Sequence, residues 1–219
     1  MVALKTFNNL PADRQQIIIE TALEEFALNE YETASLSNII SNLQLAKGSF
    51  YRYFENKQSL YFFLLEHCTE CRVKNDDAFI QKNTDDLFEL ISQHFAAKVH
   101  FDKTYPLHSA FLHNVLQEKN NDELGNIQLT SKLQVLEMIK KLVVKYTRKK
   151  VLRNDIEMDT IAYTILQTQL SITEFIANQY KVDYRHNIRH KKPLYNIPDK
   201  ELKKISNHFI EILKNGIKK

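Results

Sequence analysis

The sequence predicts an all-α protein in which a small N-terminal head of three helices sits on a larger helical body. Only three glycines and four prolines occur in 219 residues, well below the roughly 7% and 5% of average usage, so hairpin turns are scarce and long helices run uninterrupted. Apolar residues recur at helical spacing. Leu36, Ile39, Ile40 and Leu43 fall at i, i+3, i+4 and i+7, and Leu202, Ile205, Phe209, Ile212 and Leu213 form one stripe near the end. Between residues 35 and 60, two short helical patterns are joined by a tight turn and followed at once by a third. The chain is long enough for a sizeable core in one or two domains, and the head accounts for only about a quarter of it.

Taken in order, Pro11 suits the first turn of a helix that runs to about Asn29 with Ile19, Leu23 and Phe26 on its core face. The helix beginning near Leu36 turns its Ser and Asn residues outward and ends at a turn on Gln44 and Leu45. The next starts near Lys47 and pairs Phe50 with Phe54 on its buried side. Asn56 can cap a long helix over residues 57–81, a rod of nearly 40 Å at about 1.5 Å per residue that joins head to body. Further helices are expected over residues 85–101, 106–118, 122–149, 155–180 and 199–215. The connector 181–198 is polar and basic with two prolines, and reads as a loop. The chain is thereby divided into a head, residues 1–56, and a body, residues 57–219.

The short helix at Lys47 carries the most specific chemistry. Gly48 lets a backbone come close to whatever it docks on, and a helix N-terminus favours phosphate. Ser49, Tyr51 and Tyr53 offer hydroxyls, while Lys47 and Arg52 can neutralise phosphate or donate to guanine. Lys57 stands one turn further on. The bland alternative is an ordinary helical hairpin with a solvated polar face, since short helical pairs are common.

The run A-K-G-S-F-Y-R-Y-F-E-N-K-x-x-L, Ala46 to Leu60, resembles the recognition-helix signature of the tetracycline-repressor (TetR) family of bacterial transcription regulators, and the helix before it resembles its counterpart there. The likeness covers about the first sixty residues. It implies a helix-turn-helix DNA-binding head on a ligand-binding and dimerisation body. It also implies that Ser35, Ser37, Tyr53 and Lys57 touch phosphates, while Lys47, Ser49, Tyr51 and Arg52 face the major groove. One position departs: where the family commonly has Gly in the turn, this chain has Gln44, so a non-Gly residue must adopt positive φ or the turn must change shape.

Charge argues for two copies. Residues 1–60 hold five bases (Lys5, Arg14, Lys47, Arg52 and Lys57) against seven acids, a net of −2. Because phosphate neutralisation supplies most non-specific affinity, one such head binds random DNA weakly, and two held together compensate. The last two helices suit that role. The one before the final stripe shows Met158, Ile161, Ile165, Ile172 and Ile176 on one side with Leu166, Leu170 and Ala177 beside them. A helix apolar over more than half its girth needs a partner inside its subunit and another outside, which a four-helix contact across a two-fold axis supplies.

Other readings are less specific. Aromatics between residues 61 and 180 can line a cavity for a small molecule, though most are expected to be core. Glu66, Glu89 and Glu174 are expected to be solvated carboxylates. Cys68 and Cys71 invite a redox or metal reading, but at i and i+3 they continue a core stripe. A single pair also lacks the ligands of a zinc site unless His67 and His94 complete it, so no metal and no cofactor are expected. No G-x-S-x-G, glycine-rich phosphate loop or paired-acid motif supports an enzyme. No apolar run approaches the roughly 18 residues of a membrane span, and no signal peptide is evident, which points to a cytoplasmic protein. The expected function is a homodimeric DNA-binding regulator, a repressor released from a palindromic double-stranded operator by a small-molecule effector. The alternatives are a helical protein-interaction adaptor that does not bind DNA and a redox- or metal-responsive regulator using Cys68 and Cys71.

Overall fold

A computed structural model describes residues 4–80 and 84–219. The described residues form helices and no named strand, in the order α1 (Lys5–Asn8), α2 (Ala12–Leu28), α3 (Leu36–Asn42), α4 (Lys47–Phe50), α5 (Lys57–Phe79), α6 (Leu87–Thr104), α7 (Pro106–Val115), α8 (Ile127–Arg148), α9 (Met158–Gln179), α10 (Tyr184–Arg189) and α11 (Asp199–Ile217). The all-α expectation holds. Among the described residues no helix is long and apolar enough to cross a membrane.

Helix α2 buries Ile18, Ile19, Ala22, Leu23 and Phe26 against Ile39, Ile40 and Leu43 of the α3 segment and Phe50 and Phe54 around α4. That cluster continues without a break through Leu60, Tyr61 and Leu64 of α5 into Phe111 and Val115 of α7, so head and body share one apolar core. Helix α1, absent from the sequence expectation, is explained by its one large apolar side chain. Phe7 is fully buried, with ring centroids 5.0 Å from both Phe54 and Phe63, and burying such a ring is worth about 2 kcal/mol.

Helix α5 starts where Asn56 predicts, through a reciprocal cap in which the Asn56 side chain accepts from the Ser59 amide and the Ser59 hydroxyl accepts from the Asn56 amide. Its 23 residues span about 35 Å. The expected last residue, Gln81, lies outside the described residues.

The largest departures from expectation lie at the α7–α8 junction and in the connector 181–198. Helix α7 ends at Val115, not 118, and α8 begins at Ile127, not 122. The intervening residues form a tight turn, with Gly125 at φ 59° and the Asn121 side chain accepting from the amides of Glu123 and Leu124. The connector 181–198 is a packed segment. It contains α10, capped by Asp183, and buries Ile188, Leu194, Tyr195 and Ile197, so its apolar residues point inward and its basic ones outward.

Glu66, Glu89 and Glu174 are exposed, as expected. On α11 the buried face is Leu202, Ile205, Ser206, Ile210, Leu213 and Ile217, while Ile212 of the expected stripe is 74% exposed. Met158 of α9 is likewise exposed. A single amphipathic stripe is thus split between an inner face and an outer one.

Candidate nucleic-acid interface

The head presents α4 on a rigid frame. Ser35 caps α3, its hydroxyl accepting from the Asn38 amide while its own amide donates to Glu25 Oε1 at 2.7 Å. After α3 the chain reverses at Gln44, which adopts φ 52°, and the Leu45 amide closes the turn on the Ile40 carbonyl at 3.2 Å. The turn therefore keeps the left-handed conformation that glycine favours, with a glutamine in it. Phe50 and Phe54, 5.7 Å apart, anchor α4 from below.

Seven of the nine residues singled out from sequence share the outer surface. Ser37, Lys47, Gly48, Tyr51 and Arg52 are exposed; Ser49 and Tyr53 are half-buried. Tyr51 is 41% exposed, a large aromatic held edge-on against Phe50. Nothing in the chain lies within 4 Å of where a Gly48 Cβ would sit, so internal packing does not require glycine there. The half-buried Ser35 is occupied as a cap.

Lys57 is engaged elsewhere. Its ammonium donates to the carbonyls of Tyr31 at 2.8 Å, Ala34 at 3.3 Å and Glu32 at 3.4 Å, and lies 4.3 Å from the Tyr31 ring centroid. Four backbone and ring acceptors thus meet one cation that the sequence assigned to phosphate, and Lys57 ties the α2–α3 turn to the start of α5.

Sequence reading missed two supports. Helix α1 braces the end of α4, with the Leu4 amide donating to the Tyr53 carbonyl at 2.9 Å and the Phe7 and Tyr53 rings edge to face. This also brings the exposed Lys5 onto the head surface. The available signal was Leu4, Phe7 and Leu10 at three-residue spacing. The second support is a polar joint between the head and the α7–α8 segment. The Asn114 side chain donates to the carbonyls of Phe26 and Ala27, each at 2.9 Å, and buried Glu118 accepts from the Tyr31 amide at 3.2 Å. Glu123 accepts from the Tyr31 hydroxyl, and its own carbonyl accepts from the Gln58 side chain. Burial pushes the Glu118 carboxyl above the usual carboxylate range. Three side chains with no local sequence signal, Asn114, Glu118 and Glu123, therefore fasten the end of α2 and the turn after it to the body.

In the body, a gap of about 10 Å³ among α6, α9, α10 and α11 is lined by Phe95, Lys98, Ile176, Tyr184, Tyr195 and others, which is room for about one water molecule. Beneath it, buried Asp102 accepts from Lys98 and Ser109, each at 2.5 Å, and from Tyr195 at 2.8 Å. An open groove of about 270 Å³ runs between α9 and α11, lined by Phe175, Tyr180, Ile205, Phe209 and Ile212 among others.

The thiols are separate in character. Cys68 is fully buried in the core shared with the head, whereas half-buried Cys71 points its sulfur at His67. Burial raises both thiol pKa values, so neither is a ready thiolate. His94 lies instead beside Asp76, at 3.7 Å.

Comparison with known proteins agrees with this geometry. Residues 18–62 match a family model described as bacterial regulatory proteins, tetR family. A protein of Bacillus subtilis (strain 168) described as an uncharacterized HTH-type transcriptional regulator, YuxN, is 36% identical over 55 residues, covering 25% of this chain and 19% of that protein. The chain thus matches less than a fifth of that relative's length. Over its whole length the chain is similar to a crystal structure of a TetR family transcriptional regulator from Chloroflexus aurantiacus J-10-FL, with 21% identity, complete coverage of both chains and a TM-score of 0.79. It is also similar to a gamma-butyrolactone receptor (ArpA-like protein), with 17% identity, 93% of this chain and 97% of that one covered, and a TM-score of 0.57. At these identities the two structures establish the fold.

Proposed function

We propose that the chain is a TetR-family transcriptional regulator, a homodimeric repressor whose two α4 helices enter successive major grooves of a palindromic operator and leave when the body binds a small molecule. The carrying observation is the exposed face of α4 and the turn after it, which together present Lys47, Gly48, Tyr51 and Arg52 on a braced segment whose glycine no internal packing demands. Lys47, Ser49, Tyr51 and Arg52 read base edges, and Ser37 and Tyr53 hold phosphate. Lys57 acts on DNA through the turn it fastens.

Residues 1–56 serve as the DNA-binding unit and residues 57–219 as the ligand-binding and dimerisation unit, in the cytoplasm where the DNA lies. The groove between α9 and α11 receives the same groove of a second copy, which covers Phe175 and Ile212, 43% and 74% exposed in one chain. For a C2 dimer to engage one face of B-DNA, its recognition helices must stand about 34–36 Å apart or a multiple of that. An effector preferring another separation lowers operator affinity by its differential free energy. A gamma-butyrolactone receptor among the fold relatives supports a small-molecule effector, and the gap above Asp102 is the place where such a molecule would open the body.

The test is a fluorescence-anisotropy titration of the full chain with the promoter of its own gene at fixed salt. Saturable binding that unlabelled promoter DNA competes away more effectively than random DNA is expected. Equal competition by both would refute an operator-binding role.

A further inference from the structure

Outside the DNA-facing surface, one cluster combines chemistry and position. His67 and Cys71, one turn apart on α5, meet His108 in the first turn of α7. The two imidazole Nε2 atoms are 3.4 Å apart, Cys71 Sγ is 3.7 Å from His67 Nε2, and all three donor atoms lie within 4.8 Å of one another.

The 3.4 Å between the two nitrogens is long for a direct N–H···N hydrogen bond, which settles near about 3.0 Å. Both separations match the edges of a coordination tetrahedron. Bonds of about 2.0–2.1 Å to nitrogen and 2.3 Å to sulfur place two nitrogens about 3.3 Å apart and a nitrogen and a sulfur about 3.6 Å apart. The third edge, between Cys71 and His108, lies within the same 4.8 Å.

The donor set selects the ion. Two imidazoles and one thiolate, with no carboxylate among them, suit borderline and soft d-block ions and disfavour magnesium and calcium. Aromatic rings wall the cluster, with Phe63 stacked on His67 at 6.1 Å and Phe101 and Tyr105 both edge-on to His108 at 6.4 and 5.6 Å. Three protein ligands leave the fourth vertex for water or an incoming ligand.

We infer that His67, Cys71 and His108 form a tetrahedral binding site for a Zn(II)-class ion, which bridges α5 to α7. Sequence spacing suggested Cys68 with Cys71; the fold instead withdraws Cys68 into the core and supplies His108 from a helix 41 residues downstream of His67. Helix α5 leads directly from the DNA-facing segment, and α7 holds the end of α2 through Asn114. An ion joining the two therefore fixes the head against the body, which, resting on the function proposed above, makes the ion an effector of operator affinity. On binding, Cys71 gives up its thiol proton to solvent, and the sulfur lone pair completes the metal–sulfur bond.

The test uses the full, reduced, metal-free chain titrated with Co(II). A tetrahedral d–d spectrum with a sulfur-to-cobalt charge-transfer band, saturating at one ion per chain and displaced by Zn(II), is expected. Cys71→Ser should abolish the charge-transfer band and His108→Ala should weaken binding at least about tenfold, both with unchanged circular dichroism, whereas Cys68→Ala should keep the band. A spectrum without a sulfur band, or one lost in Cys68→Ala and retained in Cys71→Ser, overturns the site. In a parallel promoter titration, Zn(II) should shift affinity at least about fivefold, a typical allosteric coupling. Cobalt binding with an unchanged promoter affinity overturns the effector role alone, and cobalt binding by a chain that never prefers its promoter overturns the repressor reading and leaves the site standing.

Discussion

Two lysines ten positions apart illustrate how one side-chain chemistry divides between binding and folding. Lys47 stands exposed on α4, whereas the Lys57 ammonium is spent on the carbonyls of Tyr31, Glu32 and Ala34. Lys47→Ala should change stability by less than about 0.5 kcal/mol and lower promoter affinity. Lys57→Met, which keeps the stem and removes the donors, should cost about 1–2 kcal/mol in urea unfolding, because three carbonyls and the Tyr31 ring lose their partner. Equal stability of the two variants would contradict the assignment. Gln44 gives a second residue-scale expectation. Since its φ of 52° carries a steric cost for any side chain, Gln44→Gly should raise stability by about 1 kcal/mol, and a loss of stability would show that the glutamine side chain holds the turn.

At the scale of elements, the stretch from α3 to the start of α5 was legible in sequence because its signals are local: a four-position apolar stripe, a Phe50–Phe54 pair and an Asn56 cap lie within one or two turns of each other. What escaped was joined over distance. The Tyr31 contacts to Glu118 and Glu123 span 87 and 92 residues, and α10 was masked by the many charges around Ile188, Leu194 and Tyr195. Lys57 was assigned to phosphate because its helix position alone does not reveal which carbonyls the preceding turn brings within reach. Helix α7 carries a further consequence at this scale. Burial holds the His113 imidazole at a pKa of about 4, below its ordinary value, with the nearby Lys98 charge acting in the same direction and Asp102 against it. The unfolded chain takes up that proton first as the pH falls, so this contribution to stability is intact above about pH 6.5 and is lost progressively toward pH 4. After allowance for partial exposure, the loss is about 2 kcal/mol. Urea unfolding of His113→Gln should show a correspondingly shallower decline between pH 7 and 4.5 than the parent chain, and identical slopes would exclude the histidine as the cause.

At the scale of the whole molecule, the net charge of −2 over residues 1–60 and the exposed apolar groove between α9 and α11 point the same way. A head with few cations needs a second head, and the body carries an apolar face that a second body would cover. Ile212→Glu tests this link, since a side chain that is 74% exposed contributes little to the fold of one chain. Sedimentation should show monomers, and promoter affinity should fall about 100-fold or more, because the second docking is no longer intramolecular. Dimers with undiminished affinity would place the interface elsewhere.

The most direct test of the account is a footprint of the full chain on the promoter of its own gene. Two symmetry-related protected segments with centres about 10–10.5 base pairs apart, or a multiple of that, are the expected pattern. Protection of a single segment, or of segments without two-fold symmetry, would contradict the entry of α4 into DNA twice per dimer.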